Sequence, residues 1–256
     1  MELWQEIVIA AAAFTAGLIN SIAGGGTLVS FPALVWLGRN PVLANATSTV
    51  ALWPASLAGV FGFRRELKGG LRWILLLGAP SLAGGMLGAF LLLRTPPNTF
   101  ARLAPYLVLF ATLLMTVQEP LSRRLRPVDA EGAKPSRAWW AGAIVFQFFV
   151  GVYGGYFGAG IGILMLAALG LLGFTDIHRM NGLKNFFAIC INGVAALYFI
   201  ASGAVNWVDV LVMTLAAIAG GYSGARLAYK LGRRFVRLAV IVTGFLMAAA
   251  LFLFPG

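Results

Sequence analysis

Three consecutive glycines interrupt a long apolar stretch near the start of the chain. The run Gly24 to Gly26 lies within residues 17–32, which carry no charged side chain. Each glycine in a helix interior costs about 1 kcal/mol relative to alanine, so we expect one helix to end here. A second helix should start at Thr27, a suitable N-cap residue. At membrane depth, such a break must be covered by protein or line a cavity. It therefore indicates a ligand site, and the N–H groups of the restarting helix favour an anion.

The composition is that of a membrane protein. Hydrophobic residues make up 60% of the 256 residues and charged residues only 11%, whereas a soluble domain carries about 25% charged residues. Apolar runs of about 20 residues recur along the whole length, which indicates a polytopic protein in a lipid bilayer. In such a chain the net charge of +11 reflects loop topology rather than a nucleic-acid partner.

The sequence lacks catalytic and metal-binding signatures. It contains one cysteine, Cys190, and one histidine, His178. An intrachain disulfide, a cysteine or histidine metal cluster and a Cys/His catalytic pair are therefore not expected. There is also no Walker motif, so ATP is not expected to be the direct energy source. We expect a protein that is not an enzyme and that uses no cofactor and no metal.

Ten apolar segments form two halves joined by a basic linker. We predict helices over residues 3–21, 27–37, 42–63, 71–93 and 100–117, and over residues 138–157, 161–172, 177–201, 207–229 and 235–254. The predicted organisation is a first membrane repeat over residues 1–118, a cytoplasmic linker over residues 119–137 and a second membrane repeat over residues 138–256.

The second half repeats the first. Matching residues recur in the same order at an offset of 134 to 136 positions. The matched sets are Gly17, Gly24 and Gly26 with Gly151, Gly158 and Gly160; Gly84, Gly85 and Gly88 with Gly220, Gly221 and Gly224; Phe100 and Arg102 with Phe235 and Arg237; and Asn45 with Asn181. This order at a nearly constant offset indicates an internal duplication.

The distribution of Lys and Arg distinguishes parallel from inverted repeats. If each broken segment crosses the membrane once, the loop charges split evenly, nine against nine. If each forms a re-entrant hairpin, 15 lie on the linker side and only Arg39, Arg94 and Arg102 on the other. The positive-inside rule favours the hairpins. We therefore expect an all-α polytopic membrane protein with two inverted repeats, each made of a broken, re-entrant helix hairpin plus three transmembrane helices. The linker is then cytoplasmic and both termini are external.

Two polar stripes lie at matching places in the two repeats. The stripe in residues 177–201 consists of Asn181, Lys184, Asn185 and Asn192, which share one helical face at 100° per residue. The matched positions in residues 42–63 are Asn45, Ser48, Thr49 and Ser56. We expect the two stripes to face each other across the axis that relates the repeats.

Lys184 is the one clearly intramembrane charge, which makes it a functional hypothesis by default. The acidic residues lie near segment ends or in loops, so the sequence favours an anion as the counter-charge of this lysine. Its ammonium could attract a sulfonate or carboxylate whose oxygens bind the N–H groups of the broken helices. The candidate substrate-binding residues are Asn20, Ser21, Gly24, Gly25, Gly26, Thr27, Asn45, Ser48, Thr49, Tyr153, Tyr156, Gly158, Gly160, Asn181, Lys184, Asn185 and Asn192.

Simpler explanations exist for most of these residues. Glycines in membrane helices mostly permit close helix packing, which we favour for Gly84, Gly85 and Gly88 and for their matched partners Gly220, Gly221 and Gly224. Lys184 lies two turns from a helix end and could extend its ammonium to the membrane surface. The hydroxyl and amide groups of residues 42–63 could join neighbouring helices, and the two tyrosines beside the second break could gate it or only pack.

The motifs together resemble a known family of bacterial membrane transporters. They are the glycine break, Pro32, the motif Ala44-x-Ala-Thr47-Ser48, and a second copy with Asn181-Gly-x-Lys184-Asn185. This combination, over nearly the whole chain, resembles the sulfite exporter TauE/SafE family. The resemblance implies an inner-membrane transporter for sulfur-containing anions such as sulfite, sulfoacetate and related sulfonates. The second break departs from the pattern, because it reads Gly158-Ala159-Gly160 and not three glycines.

The function we expect is secondary transport of a small sulfur-containing or carboxylate anion, by alternating access around a midplane site between the repeats. An anion channel or facilitator is the alternative. Since no carboxylate is embedded in the membrane, a coupling proton would have to travel on the substrate or on an edge group such as His178. The sequence does not define the substrate, the direction of transport or the oligomeric state, for which a homodimer is left open.

Overall fold

The protein is a bundle of helices. The computed structural model describes residues 3–22, 25–62, 71–124, 137–172, 174, 177–231 and 233–253, and no strand occurs among them. The helices are α1 (Leu3–Ile22), α2 (Thr27–Trp36), α3 (Pro41–Gly62), α4 (Leu71–Arg94), α5 (Pro97–Arg124), α6 (Arg137–Tyr156), α7 (Ile161–Leu171), α8 (Ile177–Ala201), α9 (Trp207–Leu231) and α10 (Arg233–Leu253).

The prediction of an all-α membrane protein is confirmed, and each predicted segment corresponds to one helix. Among the described residues, four helices contain spans that are long and apolar enough to cross a membrane: Leu3–Asn20, Trp73–Arg94, Pro97–Val117 and Arg179–Ala201. The largest difference in boundaries is at α5, which continues to Arg124. Apolarity ends near residue 117, but the backbone hydrogen bonds of a helix do not depend on apolar side chains.

The first glycine break reverses the direction of the chain. Gly25 has a φ of 93°, and Gly26 lies so close to the carbonyl of Ala16 in α1 that a methyl group there would collide with it. A continuing helix would carry position 26 about 15 Å beyond position 16. The start of α2 therefore lies beside α1. The predicted N-cap was wrong, because Thr27 is already helical and Gly26 occupies the cap position without a side-chain hydrogen bond.

The second break is built from two left-handed glycines. Gly158 and Gly160 have φ values of 81° and 76°, a region that favours glycine. The end of α6 is closed by the Tyr153 carbonyl, which accepts hydrogen bonds from the N–H groups of Phe157 and Gly158 at 2.9 and 3.2 Å. The hydroxyl of Tyr153 then donates to the carbonyl of Ala159 at 2.7 Å. These bonds tie the break back onto α6.

Glycines bring two pairs of helices into backbone contact. α1 packs on α9 and α4 packs on α6. At these crossings an added methyl group would collide with the facing backbone. The contacts occur at repeat-matched positions: Gly84 with Phe148 and Gly220 with Phe14, then Gly151 with Ser81 and Gly17 with Ala217. The packing interpretation is thus confirmed for Gly84, Gly85, Gly88 and Gly220.

Helices α3 and α8 cross in the centre of the molecule and run in opposite directions. The Thr47 hydroxyl, near the start of α3, accepts a hydrogen bond from the backbone N–H of Asn206, which follows the end of α8. Further along α3, the indole N–H of Trp53 donates to the Ile189 carbonyl in the middle of α8 at 3.2 Å. The start of α3 therefore lies level with the end of α8.

A cluster of buried aromatic rings joins the two hairpins. Phe31 in α2 meets Phe157 at the second break edge-to-face, with ring centroids 5.5 Å apart. Phe31 also contacts Phe100 in α5 at 5.9 Å, and Phe100 contacts Tyr156 at 5.6 Å. Such edge-to-face pairs add about 0.5–1.5 kcal/mol each beyond the burial of area. This cluster holds the second break against the first hairpin.

A bidentate ion pair closes one end of the bundle. Arg39, which follows α2, donates from Nε to Asp209 Oδ2 at 2.9 Å and from Nη2 to Asp209 Oδ1 at 3.2 Å. Asp209 is fully buried, with 1% of its side chain exposed. It lies in the first turn of α9, which Asn206 caps through its side-chain oxygen. The loop that follows α2 is thereby fixed to the start of α9.

Candidate functional site

Both breaks contact the same face of α5. A Cβ atom on Gly25 would lie 3.1 Å from Met115 Sδ, and one on Gly160 would lie 3.5 Å from the Cα of Ala111. Positions 111 and 115 are one turn apart on a helix, about 6 Å along its axis. The two breaks therefore lie within about one helical turn of each other along α5. α5 is absent from the predicted site because its residues at these contacts, Ala111 and Met115, are apolar and gave no sequence signal of ligand binding.

Asn45 joins α3 to the second break. Its side-chain Nδ2 donates a hydrogen bond to the carbonyl of Tyr156, the last residue of α6, at 2.9 Å. Because a carbonyl can only accept, this bond fixes the orientation of the amide. The other atom, Asn45 Oδ1, is buried and has no hydrogen-bond partner among the described residues. Asn45 therefore offers an acceptor at this point, whereas the anion hypothesis requires a donor.

Lys184 lies beside the first turn of α7. Its Cδ atom lies 3.2 Å from the position that a Cβ on Gly162 would take, and its Cγ and Cε lie 3.7 and 3.8 Å from it. The absence of a side chain on Gly162 makes room for the lysine stem. Lys184 is half-buried and makes polar interactions of its own. The stem thus runs along the start of the half-helix, where the helix dipole is positive.

The remaining amides of the α8 stripe lie along the second hairpin at different depths. The Oδ1 atom of Asn192 lies 3.5 Å from the Cβ position of Gly158, so Asn192 is next to the break itself. Lys184 is eight residues earlier, about 12 Å along the helix axis. Asn181 and Asn185 are half-buried like these two. The four residues of the stripe therefore lie at different heights along α8 and do not form one cluster. Asn192 is at the break, and Lys184 is beside the first turn of α7.

The first break has a different set of polar contacts. Asn20 Oδ1 accepts a hydrogen bond from the Gly26 N–H at 2.8 Å. Ser48 in α3 shares a 2.7 Å hydrogen bond with Ser30 in α2, and both hydroxyls are fully buried. Thr49 donates to the carbonyl of Asn45 within its own helix at 2.9 Å. The Ser30–Ser48 bond supports the interhelical interpretation that the sequence left open, whereas the Thr49 bond stays within α3.

The structure describes few contacts for three further candidate residues at the first break. Thr27 begins α2 and is half-buried. Gly24 and the side chain of Ser21 lie outside the described residues. The assignment of these residues to a site remains a prediction.

The two tyrosines of the second break both have structural partners. Tyr153 bonds to the Ala159 carbonyl and its ring packs edge-to-face on Phe110. The hydroxyl of Tyr156 lies 3.2 Å from that of Thr95, which itself donates to the Leu91 carbonyl. Tyr156 therefore connects the break to the end of α4. A gating function stays a prediction.

Several residues near the candidate site could not be recognised by their residue type, because their role depends on which residue they contact. Ser30 carries a hydroxyl group within the short helix α2. A polar residue in this apolar helix was a sequence signal that could have pointed to a polar partner such as Ser48. Gly162 is one of several glycines after the second break, and nothing in the sequence distinguishes it as the contact of Lys184. Arg39 and Asp209 are 170 positions apart, so their pairing leaves no local pattern.

Comparisons with known proteins agree with this architecture. A protein from Haemophilus influenzae described as "Probable membrane transporter protein" is 28% identical over 239 residues, which cover 92% of this chain and 90% of the relative. "Probable membrane transporter protein YfcA" of Escherichia coli is 28% identical over 240 residues, covering 93% of this chain and 86% of the relative. "Probable membrane transporter protein YunE" of Bacillus subtilis is 25% identical over 265 residues, covering 93% and 95%.

A family model covers almost the entire length of the chain. The model described as "Sulfite exporter TauE/SafE" matches residues 9–251, a range that includes both glycine breaks and both polar stripes. The family resemblance inferred from the motifs is confirmed, and with it a multi-pass membrane protein. The chain belongs to the sulfite exporter TauE/SafE family of membrane transporters.

Proposed function

We propose that this chain is a secondary transporter that exports small sulfur-containing or carboxylate anions. The observation that carries the proposal is the position of Lys184, whose stem lies against Gly162 in the first turn of α7. The first N–H groups of a helix have no partner within the helix, and its dipole is positive at this end. A lysine ammonium and a helix N-terminus at one place attract the same ligand, an anion with several oxygen atoms.

The chemistry of the site favours a compact, multiply oxygenated anion. A sulfonate, a sulfite or a carboxylate can accept a charge-assisted hydrogen bond on one oxygen and backbone N–H groups on the others. The family description names a sulfite exporter, which agrees with this class. Asn185, next to Lys184 on α8, could add a neutral donor at the same point. We therefore propose one anion site at the second break.

Alternating access around this site would follow from inverted repeats. Two observations support the inversion: α3 and α8 occupy matching places in the repeats yet run in opposite directions, and the glycine contacts recur at matched positions. Secondary transporters commonly combine inverted repeats with broken helices at the membrane midplane. The 15-to-3 distribution of Lys and Arg supports a cytoplasmic linker, external termini and residence in the bacterial inner membrane. A homodimer remains a prediction, which light scattering would test.

Anion binding to purified protein tests the proposal. We expect sulfite, a short alkyl sulfonate or a dicarboxylate to bind in calorimetry, and Lys184→Met to lower the affinity about ten- to a hundredfold, since a hydrogen bond to a charged group contributes roughly 1.5–3 kcal/mol. Lys184→Arg should retain part of the affinity, and Lys184→Glu should lose the most.

A second cation provides the matched control. Arg94 ends α4 and stacks over the Phe90 ring, so Arg94→Met removes one positive charge without touching either break and should leave the affinity unchanged. Unchanged affinity in Lys184→Met would refute the site. The channel alternative predicts flux without counter-transport. Acceleration of labelled-anion efflux from proteoliposomes by unlabelled anion on the opposite side would favour the transporter.

A further inference from the structure

We propose that Asn45 and the carboxyl end of α6 form a binding site for a monovalent cation, which binds together with the anion. This inference rests on the proposed anion transport and adds a second ligand to its site. Na⁺ is the probe, because amide and backbone carbonyl oxygens at broken helices are its usual ligands in transporters. The site would lie at the second break, on the α6 side, opposite the anion end at α7.

The first argument is the unpaired amide oxygen. Asn45 is 1% exposed, and its Oδ1 atom has no hydrogen-bond partner among the described residues. The Nδ2 atom is already bonded to the Tyr156 carbonyl at 2.9 Å, so rotating the amide would place two acceptors against each other. A buried acceptor left in this condition has lost its hydration without gaining a partner. A ligand with a positive charge would compensate this loss.

The second argument is that the neighbouring hydroxyl groups direct their hydrogens elsewhere. Thr49 donates to the backbone carbonyl of Asn45. Tyr153 donates to the Ala159 carbonyl, and its single hydrogen is thereby used. The hydroxyl oxygens of Thr49 and Tyr153 can therefore only accept. Hydroxyl oxygens whose hydrogens are used in this way suit a cation and not an anion.

The third argument is the electrostatic polarity of the break. The carboxyl end of a helix carries about half a negative charge and the amino end about half a positive charge. Asn45 bonds to the last carbonyl of α6, whereas Lys184 lies along the first turn of α7. One break thus presents a negative end and a positive end. Binding a cation at the first would offset the charge of an anion at the second and make the joint site more favourable than either alone.

Thermal stability of the full chain in detergent tests the site without requiring transport. At constant ionic strength, replacing choline chloride by NaCl should raise the Tm in a saturable, concentration-dependent way, because a ligand stabilises the state that it binds. Equilibrium binding of radioactive Na⁺ should saturate over the same range. Equal Tm values in the two salts, together with no saturable Na⁺ binding, would overturn the proposal and favour a buried water as the partner of Asn45.

Variants locate the site. Asn45→Leu, which is nearly isosteric, should lower Na⁺ affinity at least about tenfold. Ser81→Ala is the matched control, because Ser81 is equally buried and polar but bonds only to Leu77 and Gln147; it should keep the Na⁺ response. If Asn45→Leu does not fold, the wild-type protein decides the proposal, because absence of saturable Na⁺ binding to it would overturn the assignment.

Anion binding in Na⁺-free buffer separates this inference from the proposed function. A wild-type protein that binds anions but shows no Na⁺ response overturns the cation site alone. If Asn45→Leu then also loses anion affinity, Asn45 accepts a hydrogen bond from the substrate instead. A protein that responds to Na⁺ through Asn45 but binds no anion supports the cation site and overturns the proposed anion transport.

Discussion

Trp53 donates a hydrogen bond from its indole nitrogen to the carbonyl of Ile189 at 3.2 Å. The two residues are 136 positions apart, which is the offset between the repeats in this region. They therefore occupy the same place in their respective halves. If the halves are inverted repeats, two matching positions can contact each other only close to the axis that would relate them. On that hypothesis the axis passes near the crossing of α3 and α8, where the Cβ position of Gly193 lies 3.0 Å from the Trp53 indole nitrogen.

The position of the axis gives a topological prediction. If the repeats are inverted, residue 132 in the linker and residue 256 at the end of the chain lie on opposite sides of the membrane. In a Cys190→Ala background, a cysteine at Gly132 should react with an impermeant thiol reagent only after permeabilisation, whereas one at Gly256 should react in intact cells. Labelling of both positions from the same side would refute the inverted arrangement.

The glycine contacts predict opposite effects for two substitutions in the same helix. Gly84 and Gly78 both belong to α4, but only Gly84 meets a facing backbone, whereas a Cβ on Gly78 would contact nothing within 4 Å. Gly84→Ala should lower stability by about 1–3 kcal/mol through overpacking. Gly78→Ala should be neutral or raise stability by roughly 0.5–1 kcal/mol, because alanine suits a helix better. Thermal unfolding in detergent measures both.

The crossing of α1 and α9 allows the same experiment at a matching position. Gly220 in α9 meets the Phe14 backbone as Gly84 meets that of Phe148. Gly220→Ala should therefore lower the Tm about as much as Gly84→Ala. A loss at one position only would contradict the equivalence of the two crossings.

The ion pair between Arg39 and Asp209 predicts an asymmetric double-mutant cycle. Removing one partner of a buried pair costs about 3–5 kcal/mol, because the other charge stays buried and uncompensated. Arg39 is 24% exposed and Asp209 only 1%, so water can solvate the arginine but not the carboxylate. Arg39→Met should therefore destabilise more than Asp209→Leu. The double variant should recover most of the loss, since apolar residues often replace a buried pair without cost; a double variant as unstable as the sum of both would contradict this account.

The helices could be predicted from the sequence because they depend on local signals. Apolar runs, glycine breaks and the Lys/Arg distribution are each readable along the chain, and the predicted segments correspond to the ten helices. The packing of Gly84 and Gly220 was foreseen for the same reason, as small residues at regular spacing indicate helix contacts.

The geometry of the candidate site could not be predicted in the same way. Whether Asn45 offers a donor or an acceptor depends on the carbonyl of Tyr156, which is 111 positions away. The glycines of the breaks also have structural reasons that the sequence could not show. Gly26 is needed because the chain turns back against Ala16, and Gly25 and Gly160 have positive φ values. Loss of function after a bulky substitution at these positions would therefore not by itself identify a site.

Gly160 and Gly203 form a pair that separates backbone strain from ligand binding. Their φ values are 76° and 68°, and neither Cβ position would be crowded: Gly160 has its nearest neighbour at 3.5 Å and Gly203 has none within 4 Å. Alanine at either position should cost about 1–2 kcal/mol through the left-handed conformation, so the two Tm values should fall by similar amounts.

Gly160 precedes α7 and orients its first N–H groups, whereas Gly203 lies in the loop after α8. If these N–H groups hold the anion, Gly160→Ala should lower anion affinity in calorimetry at least about tenfold, and Gly203→Ala should leave it unchanged. Equal affinities in both variants would mean that the second break serves only to turn the chain.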